Sequence, residues 1–173
     1  MKKIVFYSIA LFLMVAVSTP VLAQGKVKIG HINSNELMEV MPGRDTALTQ
    51  LEAYAQGLED QLKVMNSEFE TKYQDYLANE ATYLEPVKVS KQQELVDLQN
   101  RITDFQSDAQ DLLSQKEAEL IQPLIDKAKN AIDEVAKENG YTYIFDTSIG
   151  ALIYYQDSDD IMPLVKKKLG ITE

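Results

Sequence analysis

Apolar residues recur at alternating steps of three and four between residues 44 and 83, a spacing that aligns side chains along one narrow side of a helix. The repeating positions are Leu48, Leu51, Ala55, Leu58, Leu62, Met65, Phe69, Tyr76 and Tyr83, with the polar residues Lys72 and Asn79 in the same register. The spacing returns at Leu95, Leu98, Ile102, Phe105, Ala109 and Leu112. Two apolar positions per heptad form a coiled-coil seam, so the pattern predicts two long helices that pair with each other.

A short segment at residues 84–90 separates the two repeats. Pro86 has no backbone amide and restricts Glu85, so we expect the first helix to end there. Ser90 and Gln93 have the spacing of a capping box, which places the start of the second helix at Ser90. The chain is therefore predicted to fold as an antiparallel helical hairpin, an arm of roughly 34 residues per helix that reaches about 50 Å.

The apolar pattern widens beyond residue 119 to a face that one partner helix cannot cover. Its members are Leu120, Ile121, Leu124, Ile125, Ala128, Ala131, Ile132, Val135 and Ala136. Pro123 lies within this face and is expected to kink the helix, or to split it after Ile121, at a point opposite Leu51. We therefore assign residues 52–119 to the arm, and residues 26–51 and 120–173 to a body.

Three segments outside the hairpin alternate apolar and polar residues or are rich in β-branched and aromatic residues, which predicts strands at 26–32, 141–146 and 151–155. Residues 148–150 should join the last two strands as a β-hairpin. Ser34 is expected to cap a short helix at 35–41, Gly140 to end the long helix, and Pro163 to lie in the first turn of a closing helix.

The hairpin returns the chain to its starting point, so the three strands should meet in one sheet. A three-stranded sheet is too small to be stable unless other elements or subunits cover it, and we therefore expect the protein to oligomerise through its body. The candidate residues for this association are Ile29, Ile32, Ile144, Phe145, Leu152 and Ile153.

The first 23 residues have the composition of a secretory signal peptide. Lys2 and Lys3 precede an apolar run at residues 4–17, and Val21 and Ala23 supply the small residues that a signal peptidase recognises at the third and first positions before the cut. The run is shorter than the ~20 apolar residues that span a bilayer, which argues against a membrane anchor. The mature protein, residues 24–173, should begin at Gln24 after cleavage behind Ala23.

The mature chain is strongly acidic, because removal of Lys2 and Lys3 leaves 15 basic and 27 acidic residues, a net charge of −12. Residues 52–119 alone hold 6 basic and 15 acidic residues, a net charge of −9. Such a surface repels phosphate backbones, so we expect no nucleic-acid partner. His31 is the single histidine and there is no cysteine, so we expect neither an enzyme active site nor a metal or other cofactor.

The chain resembles the Skp/OmpH family of periplasmic chaperones along the whole mature sequence. The resemblance rests on the signal peptide, the heptad hairpin, and three segments: Lys28-Ile29-Gly30-His31-Ile32-Asn33-Ser34, Glu138-Asn139-Gly140-Tyr141-Thr142-Tyr143-Ile144-Phe145-Asp146, and the ending from Asp160-Ile161 to Leu169-Gly170. It implies a mainly α protein with a small β body (α+β) and a homotrimer shaped like a jellyfish, whose arms surround a cavity. It also implies an ATP-independent holdase that keeps unfolded outer-membrane β-barrel proteins in that cavity and prevents their aggregation in the periplasm.

Two features depart from the family pattern. The best-known members are basic and a lipopolysaccharide-binding site has been proposed on their arms, whereas these arms are acidic, so that site is not transferred here and contact with a membrane stays an open question. The closing helix begins with Met162 before Pro163, where the family often has a threonine cap, so we expect this helix end to be less firmly held.

Four aromatic residues in the outer half of the first arm helix are candidates for contact with a client: Phe69, Tyr73, Tyr76 and Tyr83. Tyr73 is the only one off the seam, and an aromatic ring with a polar tip can bind an unfolded chain without making the surface aggregate. The main alternative function is a structural coiled-coil envelope protein or adhesin that binds one folded partner.

Overall fold

The structure, a computed structural model, describes residues 27–171. The predicted signal peptide, with Ala23 and Gln24, lies outside this range. The elements run in the order β1 (Ile29–Ile32), α1 (Ser34–Glu39), α2 (Arg44–Asn79), α3 (Glu85–Asn139), β2 (Tyr143–Asp146) and α4 (Met162–Leu169), with short 3-10 turns at Glu80–Thr82 and Asp157–Asp159. The predicted α+β class, a long antiparallel helical hairpin attached to a small β body, is confirmed. None of the helices within residues 27–171 combines the length and the apolar composition needed to cross a bilayer.

Helices α2 and α3 pack along the predicted seam. In the outer half of the arm, Met65, Leu98 and Ile102 are buried between the two helices, and Leu62, Phe69 and Phe105 pack around them. We call these six residues the outer-arm cluster. Leu112, which we assigned to the seam, is exposed, and the inward position there is taken by the half-buried Leu113. The shift follows from helix geometry, because 3.6 residues per turn drift from a strict seven-residue repeat.

The turn at the tip of the arm differs from the prediction. Helix α2 ends at Asn79, and α3 begins at Glu85, before Pro86. Pro86 lies in the first turn of α3. Amides of a first turn have no partner within the helix, so the missing amide of proline costs nothing there, and its fixed φ suits a helix. Ser90 is consequently inside α3 and is not its cap; the amides of Val87 and Lys88 bond to the carbonyl of Leu84 instead.

Pro123 does not split α3, which is assigned as one helix over its 55 residues. The position of the proline relative to α2 also differs from our expectation. A side chain at Gly43 would lie 3.5 Å from the Leu124 side chain, so this part of α3 is level with the start of α2 and not with Leu51. The two helices of the hairpin therefore meet from the first turn of α2 onward.

The sheet has two strands among the described residues, not three. β1 and β2 are parallel, with Ile29 opposite Tyr143 and Ile32 opposite Asp146. Residues 151–155 form no strand, and only an isolated bridge between His31 and Asp160 extends the sheet. The predicted β-hairpin is wrong because Asp146 turns the chain away from β2: its carboxylate accepts the Ser148 amide at 2.9 Å. The chain then passes over the outer face of β1.

The body core forms where both ends of the chain meet the base of α3. Ile161 and Val165 of the closing segment are fully buried with Ile32, Leu37 and Val135, and Met41, Ala128, Ala131 and Met162 complete the cluster. Gly30 allows this close packing, because a Cβ atom there would lie 2.9 Å from both Ile161 and Tyr141 side chains.

At the body end of the molecule, the helix caps lie within two residues of the predicted positions. Asn33, not Ser34, caps α1 by accepting the amides of Asn35 and Glu36, and α1 ends at Glu39, not at residue 41. Gly140 ends α3 with a φ of 69°, as predicted. At α4 the Asp160 carboxylate accepts the Met162 amide at 2.8 Å and so supplies the cap that Met162 itself lacks.

Ser34 has a different role, because it ties α1 to the end of β2. Its hydroxyl donates to the Asp146 carboxylate at 2.6 Å, and its amide and that of Ser148 donate to the same group. Burial raises the pKa of Asp146, but these hydrogen bonds to the charged form outweigh burial and bring the pKa to about 2.

We predict that the Asp146 carboxylate stabilises the body at neutral pH and stops doing so in acid. Its pKa of about 2 lies below the ordinary 3.8, so the contribution is complete above about pH 4 and is lost as the pH falls through 2. Asp146→Asn should lower the free energy of unfolding by about 2 kcal/mol at pH 7 and by much less at pH 2. Urea denaturation followed by circular dichroism at both values tests this, with Asp104→Asn on the exposed arm as control. An equal loss at both pH values would contradict the prediction.

Candidate functional site

The four aromatic candidates of the arm have different environments. Tyr76 is only 6% exposed, and its hydroxyl donates to Glu80 at 3.1 Å while accepting from Gln92 of α3 at 2.8 Å. Tyr83 is half-buried, and its hydroxyl donates to Asp75 at 3.3 Å. The rings of Tyr76 and Tyr83 lie 6.4 Å apart. Both residues therefore act within the hairpin, where they close the outer end of the arm.

Burial raises the pKa of both Tyr76 and Tyr83, and the neighbouring carboxylates raise it further. The two phenols consequently remain neutral hydrogen-bond donors at physiological pH. A neutral phenol at a half-apolar interface can pair with Glu80 or Asp75 without burying a second charge. These hydrogen bonds are suited to holding the ends of the two arm helices together.

Tyr73 and Phe69 are accessible to a partner. Tyr73 is 39% exposed, and its ring stacks at 6.0 Å on that of Phe69, which is half-buried against the outer-arm cluster. Leu77, one turn further along α2, is also exposed. Residues four apart share one side of a helix, so Phe69, Tyr73 and Leu77 form a continuous apolar line that we call the outer-arm stripe. We did not single out Leu77 from the sequence, although its spacing from Tyr73 was visible there.

Charged residues occupy the groove next to the stripe. Lys72, at a seam position, donates to Glu94 of α3, and Glu68 and Lys91 contribute further ion pairs at 3.9 and 3.5 Å. The hydrogen bond from Lys72 lowers the pKa of Glu94, and the same bond raises the pKa of Lys72. Such pairing across a solvent-exposed seam adds little stability but favours one register of the two helices.

The body candidates divide into two groups. Ile32 is buried in the body core and Ile144 packs against it, so both hold the body itself together. Ile29 and Phe145 lie on the opposite, outer face of the sheet and are exposed, as is Ile153. Leu152 lines a cavity of about 440 Å³ between this face and the following loop.

Three tyrosines enlarge the outer face beyond the residues that we selected. Tyr143 lies opposite Ile29 in the sheet and 6.5 Å from Phe145, while Tyr154 and Tyr155 line the loop side of the cavity. We call Ile29, Tyr143, Phe145, Tyr154 and Tyr155 the outer body face. The alternation in 141–146 indicated that Tyr143 and Phe145 share a face, but the loop tyrosines could not be placed because residues 151–155 were predicted as a strand.

The described residues thus define an α+β protein with one long helical arm and two exposed apolar surfaces, one on the arm and one on the body. The family model for OmpH-like outer membrane proteins matches residues 28–169, and the chain belongs to that family. Curated protein sequences give no match.

Among solved structures, the chain is similar to an OmpH-like protein of Caulobacter crescentus CB15, described as a candidate outer membrane chaperone. The two share 12% sequence identity over 88% of this chain and 89% of the other, with a TM-score of 0.73. At this identity the similarity establishes the fold.

We predict that the outer-arm cluster holds the two arm helices together. Ile102→Ala should cost about 2–5 kcal/mol, because the buried side chain leaves a cavity between α2 and α3. Leu112→Ala, a matched truncation at an exposed site on the same helix, should cost less than about 0.5 kcal/mol. Amide hydrogen exchange in the outer halves of α2 and α3 should accelerate only in Ile102→Ala. Equal exchange in the two variants would show that the cluster does not set the stability of the arm.

Proposed function

We propose that this protein is an ATP-independent periplasmic holdase, which binds unfolded outer-membrane β-barrel proteins and prevents their aggregation. Membership of the OmpH-like family supports a chaperone role, as does the fold shared with a candidate outer membrane chaperone. The observation that carries the proposal is the outer-arm stripe, an apolar line on the acidic arm in which Tyr73 and Leu77 are exposed and Phe69 is half-buried. Its place of action would be the periplasm, after signal cleavage behind Ala23.

The outer-arm stripe has the chemistry required to hold an unfolded chain. Its aromatic and aliphatic side chains can cover apolar segments, while the Tyr73 hydroxyl and the nearby carboxylates keep the free surface hydrated. The stripe is small, so one contact would be weak, and several arms acting on one client would multiply its effect. This need for several arms connects client binding to oligomerisation.

We propose that the protein is a homotrimer formed through the outer body face. The outer body face combines three exposed residues of the two-stranded sheet with two exposed tyrosines of the following loop, and it resembles a surface that another subunit covers. One strand of the sheet also presents an open edge, which natural proteins usually cover. The number three comes from the resemblance to the Skp/OmpH family.

The acidic arms would keep the cavity open. Residues 52–119 carry a net charge of −9, so neighbouring arms repel one another and remain separated and hydrated. Apolar contact and confinement would then hold the client, with charge contributing little to its affinity. The same surface gives no support for nucleic-acid binding.

The alternative function, a structural envelope protein or adhesin, would use the arm to bind one folded partner. The arrangement of Tyr76 and Tyr83 is neutral on this point, since a rigid hairpin serves either function. The small size of the outer-arm stripe, in which Tyr73 and Leu77 are the exposed members, favours the holdase, because a specific interface generally has a larger, well-packed apolar centre. An adhesin would not suppress the aggregation of unfolded barrels.

We predict that Phe145→Asp separates the subunits and leaves each one folded. Phe145 is 42% exposed on the outer body face, so a carboxylate there can remain hydrated in a single subunit but not in an interface. Light scattering at micromolar concentration should show the mass of a monomer, with an unchanged circular dichroism spectrum. Ile144→Asp should unfold the body, because Ile144 packs on the core.

Val96→Asp, a similar change at an exposed position of the arm, is the control and should retain the mass of the wild type. If Phe145→Asp keeps the mass of the wild type as well, association does not use the outer body face. A wild-type protein that is itself a stable monomer would overturn the proposed trimer.

We predict that Tyr73→Ala weakens client protection about five- to tenfold, the effect expected for an aromatic contact worth about 1 kcal/mol or more. The assay dilutes a urea-unfolded outer-membrane barrel into buffer with the chaperone and follows aggregation by light scattering. The control is the double variant Glu59→Gln/Asp104→Asn, which removes two exposed arm charges and should protect like the wild type.

The salt dependence separates apolar contact from charge attraction in the same assay. Affinity should stay constant or rise slightly between about 50 and 500 mM salt, because salt screens charges but not the hydrophobic effect. A fall of about a hundredfold would show that the acidic arms hold clients by charge. Aggregation that proceeds unchanged in the presence of the wild-type protein would refute the holdase function.

A further inference from the structure

One side chain binds the middle of the loop that carries two tyrosines of the outer body face. We call residues 149–159 the aromatic loop. Within residues 27–171, the only hydrogen bond that joins residues 149–158 to a residue more than three positions away involves the His31 ring: Nε2 lies 2.9 Å from the Gln156 carbonyl oxygen. The end of the loop is attached by the backbone bridge between His31 and Asp160, and its other hydrogen bonds are local turn contacts. The fit of the loop on the sheet therefore depends strongly on His31.

Further contacts place His31 at the centre of this attachment. Its ring lies 4.3 Å from that of Tyr155, and its backbone oxygen accepts the Ile161 amide at 3.0 Å, where the loop ends. The side chain is 6% exposed, because the loop covers the outer face of β1 at this point. Opposite His31 in the sheet stands Phe145, a member of the outer body face.

The groups that face the ring are acidic. Asp157, Asp160 and Glu36 line a cavity of about 150 Å³ together with His31, and Asp159 lines the larger cavity on its other side. No lysine or arginine lines either cavity among the described residues.

Hydrogen bonds fix some of these carboxylates. Asp160 accepts the Met162 amide, and Glu36 accepts from the side chain of Asn33 at 2.7 Å. From β2, the nearest carboxylate is that of Asp146, one position beyond Phe145, where it is bonded to Ser34 and Ser148. The ring therefore has negative charge on the side of α1 and on the side of the loop.

A proton on this ring would strengthen the attachment. The bond to the Gln156 carbonyl requires hydrogen on Nε2, which both the neutral and the charged imidazole can carry. The charged form makes the stronger hydrogen bond and is attracted by the surrounding carboxylates, two gains that oppose the cost of charging a buried ring. Histidine changes charge close to physiological pH, so the strength of the attachment can vary in that range.

We propose that His31 is a proton-dependent latch, which fastens the aromatic loop more tightly on the sheet in mild acid and so orders the outer body face for association. This regulation rests on the proposed association through that face. The loop would be loosely held when the imidazole is neutral, and Tyr154 and Tyr155 would then be less well placed for a neighbouring subunit.

The test is amide hydrogen exchange of the aromatic loop in the full mature protein, with rates corrected for the intrinsic effect of pH. Lowering the pH from about 8 to 5.5 should slow exchange about fivefold, the effect of a charge-assisted bond that is about twice as strong as a neutral one. His31→Gln is the matched control, because the glutamine amide can donate to Gln156 but cannot become charged. The aromatic loop of His31→Gln should have the same corrected exchange rate at both pH values.

A wild-type loop whose corrected exchange is independent of pH would overturn the latch, and so would a pH effect that persists in His31→Gln. Circular dichroism verifies that the variant is folded. If His31→Gln is not folded, Asp157→Asn serves as the test in its place. This variant removes one of the carboxylates that face the His31 ring, so acid should slow the exchange of the loop less than in the wild type. An undiminished effect of acid in Asp157→Asn would contradict the role of the carboxylates.

Sedimentation of the same samples distinguishes the latch from the association on which it rests. Tighter association of the wild type, but not of His31→Gln, at about pH 5.5 supports both proposals. The exchange of the loop can depend on pH through His31 while sedimentation still gives the mass of a monomer. That result supports the latch and overturns association through the outer body face. Association without a His31-dependent response of the loop overturns the latch alone.

Discussion

The parallel pairing of β1 with β2 is the constraint on which the rest of the structure depends. Two parallel strands cannot be joined by a tight turn, because the chain must return to the end at which the first strand began. In this protein the connection is α1 followed by the whole helical hairpin, so the arm is the crossover of a two-stranded sheet. The closing segment then packs against the two strands and buries Ile161 and Val165 at the base of α3.

The arm was predictable because its apolar pattern repeats over many heptads. The ends of its helices were harder to predict because each depends on one or two residues. Eight apolar heptad positions in α2 establish a helix and its buried side, whatever single residues at its ends prefer. The tip depended instead on one residue, and Pro86 is equally compatible with the end of one helix or the first turn of the next. Asn33 and Ser34 are both good caps, and only the position of Asp146 in the folded body assigns Ser34 a different role.

The body was harder to predict because its contacts are distant in sequence. Residues 151–155 have the composition of a strand, but composition does not specify which edge a strand would pair with. Hydrogen bonds from Ser34 and Ser148 to Asp146 redirect the chain before those residues can lie along β2. The sequence named the client and association candidates without their environments, and burial alone separates Tyr73 from Tyr76 and Phe145 from Ile144.

In α2, neighbouring residues have separate roles: some are exposed to a partner, and others are buried and stabilise the arm. Phe69 is half-buried against the outer-arm cluster and stacks on Tyr73, so it anchors an exposed ring to a buried core. A side chain supported in this way loses less conformational entropy on contact than one that moves freely in solvent. The arm can thus present apolar groups without giving up its own packing.

Because the arm is a connection between paired strands, its length is independent of the body. Heptads added to or removed from α2 and α3 together would leave β1, β2 and α4 in place, since the body contacts only the inner end of the hairpin. Each added heptad per helix would move the tip outward by about 10 Å. Members of such a family could therefore differ in the size of the space their arms enclose, with one unchanged body and no new fold to evolve.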